Sequence, residues 1–266
     1  MHKINRDLKL LSDISVAHGL ILNGSKTEML IFGSQKDIIV SSPDFRIYLN
    51  DQLLAPKSSC RNLGLWIDVD LRFTTHVSKI IHKAYCTLRS LYMHKDILSK
   101  ELKLKLCNSL ILSHLAYSSI VYWPAILNRD KESLQRVQNS CIRFSYNLRK
   151  FDHVSASFSD SGWLNLDERF RLQYARFIYR LNASLSPSYL IAKINRRSKT
   201  HQRNTRHCNL YSVPRHSTAL FQRSFSYNAA RIFNLIPLDI KALPSIGPFS
   251  RQLSNFIVAE RFPHSI

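Results

Sequence analysis

Residues 61–91 read RNLGLWIDVDLRFTTHVSKIIHKAYCTLRSL, and within that stretch the hydrophobic pattern changes period. Leu63-Gly64-Leu65-Trp66-Ile67 is a short apolar run with the length and composition of a strand. Further on, Val77, Ile80, Ile81, Ala84, Leu88 and Leu91 recur at intervals of three and four, the stripe of an amphipathic helix. Lys79 and Lys83 fall a turn apart on another face. The residues before this stretch read as short mixed elements, and those beyond it read as helix. The fold class expected is therefore α+β. A small antiparallel sheet occupies residues 1–70, and helical regions cover 71–150 and 151–266.

Working outward, Ile4, Leu8, Leu11 and Ile14 predict a helix over residues 3–17, stopped at His18-Gly19, where glycine suits a helix end. Glu28 to Phe32 is an apolar run closed by Gly33, the pattern of a strand. Another strand is expected over residues 45–49, with a turn at Asn50-Asp51-Gln52 and a return at Leu53-Leu54. Downstream, residues 100–123 read as one helix, apolar nearly all round and stopped by Pro124. Residues 130–148 carry Leu134, Val137, Cys141, Phe144 and Leu148 on one helical face. Residues 153–162, HVSASFSDSG, read as a loop. Asn165 and Glu168, three apart, form a capping box that opens a helix running to about residue 183. Residues 195–217 are polar and periodless, a loop, and helices over 218–233 and 249–260 bracket a Pro- and Gly-containing segment.

The chain has 266 residues and a formal net charge of +20, from 38 Lys+Arg against 18 Asp+Glu. Residues 1–50 contain 6 basic and 5 acidic side chains, so nearly all the excess lies beyond them. Between Glu168 and Asp239 there is no acidic residue. A field of that sign favours a polyanion, nucleic acid before an anionic membrane. The 6 glycines argue against glycine-rich phosphate loops and many-turned barrels. The five cysteines (Cys60, Cys86, Cys107, Cys141, Cys208) include no C-x-x-C pair, so neither a disulfide framework nor a zinc ribbon is indicated. The charged start, MHKINRDLKLLSD, lacks the apolar core of a signal peptide. Reduced thiols and an intracellular setting, cytoplasm or nucleus, are the expectation. The most apolar stretch, residues 104–123, contains Lys105, Asn108 and His114 and reads as a buried helix rather than a membrane span.

Basic residues fall at Arg129, Arg136, Arg143 and Lys150, seven apart each time. Seven residues are about two helical turns, roughly 10.5 Å of rise, so the arginines line one side of their helix. Arg169, Arg176 and Arg180 repeat the theme on the next helix, and Arg196, Arg197 and Lys199 come later in the acid-free tract. Arginine's planar fork suits phosphate, so both rows are candidate nucleic-acid contacts. The neighbouring aromatics, among them Phe144, Phe170 and Tyr174, have the helical spacing of core residues. Signals for an enzyme are thin. Asp68 and Asp70 offer carboxylates for magnesium, although a turn after a strand produces the same pair. His201, His207 and Cys208 lack a fourth zinc ligand at a sensible spacing.

Several stretches, in order, resemble the reverse transcriptases of non-LTR (LINE-type, jockey-like) retrotransposons. HGLILNGSKTEMLIFGS (18–34) is similar to the segment after that family's catalytic aspartates, and RNLGLWIDVDLRFTTHVSKI (61–80) to its primer-grip region. SHLAYSSIVYWPA (113–125) and LQRVQNSCIRF (134–144) resemble thumb helices. GWLNLDERF (162–170) and SFSYNAARIFNLIPLDI (224–240) resemble the C-terminal region. The resemblance implies an RNA-directed DNA polymerase cut short, with a palm remnant, a thumb and a basic helical C-terminal part. The family's Ala-Asp-Asp turn holds two magnesium ions, whereas this sequence contains no Asp-Asp pair. The chain is therefore expected to hold RNA, DNA or their hybrid without polymerising alone, and to carry no cofactor and no membrane contact of its own; the resemblance sets no oligomeric state. By the resemblance, Lys26 matches a lysine thought to act as a general acid near the triphosphate, and Leu63, Gly64 and Leu65 match the primer grip. Lys79, Lys83 and the arginine rows would then face the duplex backbone. The alternative is a transposon relic, or a basic interaction module recruited by a host.

Overall fold

The computed structural model describes residues 2–33, 46–184, 187–200 and 210–261. The chain divides into two compact units, Met1–Lys79 and Ile80–Ile266. The class is mixed α+β, mostly helical, with a small set of antiparallel strands. Among the described residues no helix is long and apolar enough to cross a membrane.

In the first unit, helix α1 (His2–Ala17) ends at Gly19, whose φ of 72° lies in the left-handed region that glycine enters without steric cost. It packs on strand β1 (Ile47–Leu49). The docking is polar: Asn5 Nδ2 donates to the Arg46 carbonyl at 3.0 Å, and Asn5 Oδ1 accepts from Tyr48 N–H at 3.1 Å. Ser12 adds a 2.6 Å bond to Asn50 Oδ1. Of the expected apolar stripe, Leu8 reaches the small core of Ile47, Leu49 and Leu54, while Ile4, Leu11 and Ile14 stay exposed. The helix is where the pattern predicts, but the face it docks is set by Asn5 and Ser12.

Strand β2 (Gln52–Leu54) pairs antiparallel with β1 through Asn50-Asp51, whose φ values of 47° and 62° are those of a type I′ turn. Strands β3 (Ser59–Asn62) and β4 (Leu65–Asp68) form a second, separate hairpin. Its turn is Leu63-Gly64, with φ values of 47° and 87°. The strand expected over 63–67 therefore starts two residues later, because Leu63 and Gly64 are turn rather than strand. No strand forms at residues 28–32: Met29 makes a single parallel bridge to Pro56. Proline has no N–H to extend that ladder, which explains the isolated bridge.

Helix α2 (Thr74–Tyr92) buries Val77, Ala84 and Leu88 as its stripe predicts. Helix α3 (Lys100–Cys107) is capped by Ser99, whose hydroxyl accepts from Leu102 N–H. The single helix expected over 100–123 is broken. A π-turn spans Asn108–Leu112, a short helix comes next over Ser113–Ala116, and Ser118 swings to a φ of 55° before another short turn, Ser119–Tyr122. The buried Tyr122 hydroxyl donates to the Leu115 carbonyl and holds that break closed. The last of these turns ends at Tyr122, with Trp123 as its cap immediately before Pro124.

Helix α4 (Asn128–Ser145) is next, burying Leu134, Val137, Cys141 and Phe144. The serine-rich segment expected as a loop forms a helix, α5 (Ser155–Ser161). Its hydroxyls suggest a turn, but buried Phe158 anchors it and Gly162, at a φ of 65°, ends it. Helix α6 (Leu166–Ser184) opens on the expected capping box: Glu168 N–H donates to Asn165 Oδ1 at 2.9 Å, and Asn165 N–H to Glu168 Oε2 at 2.8 Å. Helices α7 (Phe225–Asn234) and α8 (Ile246–Arg261) pack on α6, as does α4. Ile178 and Leu181 are buried in that setting, each worth roughly 1.5–3 kcal/mol in transfer free energy.

Candidate nucleic-acid interface

The two arginine rows occupy α4 and α6, both in the second unit. On α4, Arg129 keeps 72% of its side chain exposed and lies 3.8 Å from Asp130. Arg136, also exposed, donates to Ser133 Oγ at 2.8 Å. Arg143 is half-buried and donates to the Asp152 carbonyl at 3.2 Å, so it fastens the loop after the helix. Lys150 lies past the helix end, with its ammonium 5.4 Å from the Phe151 ring centre.

The row on α6 is less uniform. Arg169 Nε donates to the Leu164 carbonyl and its Nη1 to Asn108 Oδ1, both at 3.2 Å, while the guanidinium lies 5.5 Å from the Trp163 ring centre. Burial pulls its pKa down. The π-turn at Asn108–Leu112 presents the oxygen that Arg169 reaches. Arg169 therefore ties α6 to that turn, a role its spacing does not disclose. Arg176 and Arg180, one turn apart, line an open groove of about 300 Å³ with Ser118, Ser119 and Gln173. Ser119 donates to Gln173 Oε1 at 2.5 Å, which fixes the groove's polar wall. No carboxylate lines it. Nearby Arg171 is neutralised by Asp167 at 2.8 Å, so it adds little to the field.

Arg196 and Arg197 are exposed, and their backbone is held to the chain at Leu210 and Tyr211. The Lys199 side chain lies outside the described residues, as do His201, His207 and Cys208. In the second unit Lys83 is exposed on α2. In the first unit, the Lys79 ammonium lies 4.2 Å from the Trp66 ring centre, a cation–π contact. Leu63 is 86% exposed at the hairpin tip, Gly64 completes the turn, and Leu65 is buried. Lys26 is exposed in a 3₁₀ turn capped by Asn23.

The carboxylates considered for magnesium serve the backbone instead. Asp68 Oδ2 accepts from Thr75 N–H at the start of α2, and Asp70 Oδ1 from Arg72 N–H. Among the described residues no three His, Cys, Asp or Glu side chains converge to hold a metal. These two aspartates do not fit a two-metal site, and no step is derived through one. Most of the aromatics pack as their spacing suggests: Phe170 meets Tyr174 edge-on at 5.3 Å, and Tyr92 tilts on Phe144 at 4.8 Å.

Lys103 is the residue that sequence reasoning missed. Only 2% exposed, it donates to Asn147 Oδ1 at 2.7 Å and lies 5.3 Å from the Phe144 ring centre. Among Lys100 and Lys105 it looks like one more solvated lysine, and its partner is 44 residues away. No family model, no curated protein and no solved structure matches the chain.

Proposed function

We propose that the chain binds RNA, DNA or their hybrid through the phosphate backbone, as the thumb-side part of a non-LTR reverse transcriptase would, and does not extend a primer alone. The observation that carries this reading is the groove of Arg176 and Arg180, which is lined by no carboxylate in a chain of net charge +20. Exposed Arg129 and Arg136 on α4 extend the same chemistry. Guanidinium groups in an open groove suit phosphate oxygens and carry little sequence preference. The absence of an Asp-Asp pair from the sequence supports the lack of synthesis.

Fluorescence anisotropy of the whole chain with an RNA–DNA hybrid, repeated across salt concentrations, tests the binding. Affinity falls with a log–log slope of roughly 0.7–0.9 for each phosphate contact neutralised. Binding that ignores salt rejects the reading. Primer extension with magnesium tests the second half, and any incorporation above background rejects it. A second reading, a host-recruited interaction module or transposon relic, is favoured by the first unit. There Leu10, Leu11, Ile14 and Ile21 are exposed, apolar side chains of the kind a docking partner covers.

A further inference from the structure

Beside the arginine row of α4 lies a groove of different chemistry. About 300 Å³ in volume, it is lined by Gln135, Asn139, Ser155, Phe158, Ser159 and Asn165, and by no charged side chain. Asn139 stands three residues after Arg136 and four before Arg143, so on the helix surface it neighbours both.

The orientation of its amides is set by the backbone. Leu166 N–H donates to Gln135 Oε1 at 3.0 Å, which makes the other Gln135 atom the nitrogen. That nitrogen donates to Asn139 Oδ1 at 3.0 Å, so Asn139 has Nδ2 left over. Glu168 N–H likewise takes Asn165 Oδ1 and leaves its Nδ2. Among the described residues neither Nδ2 has a protein acceptor. The groove therefore offers amide N–H donors beside the buried ring of Phe158. Its complement is a flat ligand with carbonyl oxygens and no charge.

We propose that this groove takes one unpaired nucleobase bearing a carbonyl, with uracil the simplest case, from a strand whose phosphates lie on the α4 arginines. Adenine, which has no carbonyl and presents an amino donor on its outer edge, is the base the groove disfavours. This rests on the nucleic-acid reading of the arginine rows and deepens it: the arginines supply affinity, and the amides supply base preference.

The test is anisotropy of the whole chain with short oligouridylate and oligoadenylate at one salt concentration, then salt titration. The native chain is expected to favour oligouridylate by about tenfold, the scale of one good base contact. Asn139→Ala should bring the ratio close to one while leaving the salt slope unchanged. Ser155→Phe, which fills the groove from an exposed position, should do the same without touching the amides. Salt-dependent binding with no base preference, or a preference that survives both variants, overturns the base site and leaves the phosphate reading standing. Absence of binding to both oligonucleotides overturns the base site, and the hybrid titration then decides the phosphate reading by itself.

Discussion

The arginine rows of α4 and α6 both open on a step of seven residues, about two helical turns, yet the two helices use them differently. On α4 the first two members, Arg129 and Arg136, stay exposed, and the third, Arg143, closes a loop. On α6 the order reverses: Arg169 is held by Leu164, Asn108 and Trp163, and the later members open into a groove. The cause is packing. Helix α6 is covered by α4, α7 and α8, and its first turn meets the π-turn after α3. A periodic row shows which residues share a face of a helix. It does not show what that face meets.

The largest expected effect is at Arg169. Arg169→Ala removes two charge-assisted hydrogen bonds and should cost about 3 kcal/mol of stability, read as a lowered urea midpoint, with the salt slope of binding unchanged. An unchanged midpoint with a shallower slope would place Arg169 among the binding residues and erase the contrast. Next comes Arg176→Ala with Arg180→Ala. Affinity should drop about tenfold or more and the salt slope by roughly 1.4–1.8, while stability moves by about 0.5 kcal/mol at most. If the double variant unfolds instead, the groove is structural.

Two smaller effects sharpen the α4 side and the start of α6. Replacing Arg129 and Arg136 together should flatten the salt slope, whereas Arg143→Ala should leave the slope alone and cost about 1 kcal/mol through the lost loop bond. Equal slope changes from all three would restore a uniform row. Glu168→Ala breaks the capping box at the start of α6 and should cost about 1 kcal/mol, with Arg169 loosened and the Arg176 groove intact. That outcome is checked by urea unfolding beside the salt titration.

Much of this architecture is legible in the sequence where one residue settles a local question. The stripe of α2, the cap at Asn165 and Glu168, and the glycine stop of α1 are local, and each forms where its residues predict. The features that could not be read depend on partners outside the local pattern. The break at Ser118 is held by Tyr122 folding back on Leu115, and α5 forms because Phe158 finds a core that its serines do not advertise. The docked face of α1 is chosen by Asn5 meeting β1, 43 residues away from Tyr48. The candidate interface divides the same way: the spacing locates the arginines, but only packing distinguishes Arg169 from Arg176.

The two hairpins of the first unit store backbone strain unequally. Both turn through a pair of residues with positive φ, Asn50-Asp51 in one and Leu63-Gly64 in the other. Asparagine and aspartate visit that region readily, whereas leucine gives up about 1 kcal/mol or more to do so. That cost sits on Leu63 alone, because Gly64 enters the same region more cheaply than Asp51 does. The strain of the β3–β4 turn is therefore held at a single side chain, the 86% exposed Leu63, where asparagine would relieve it.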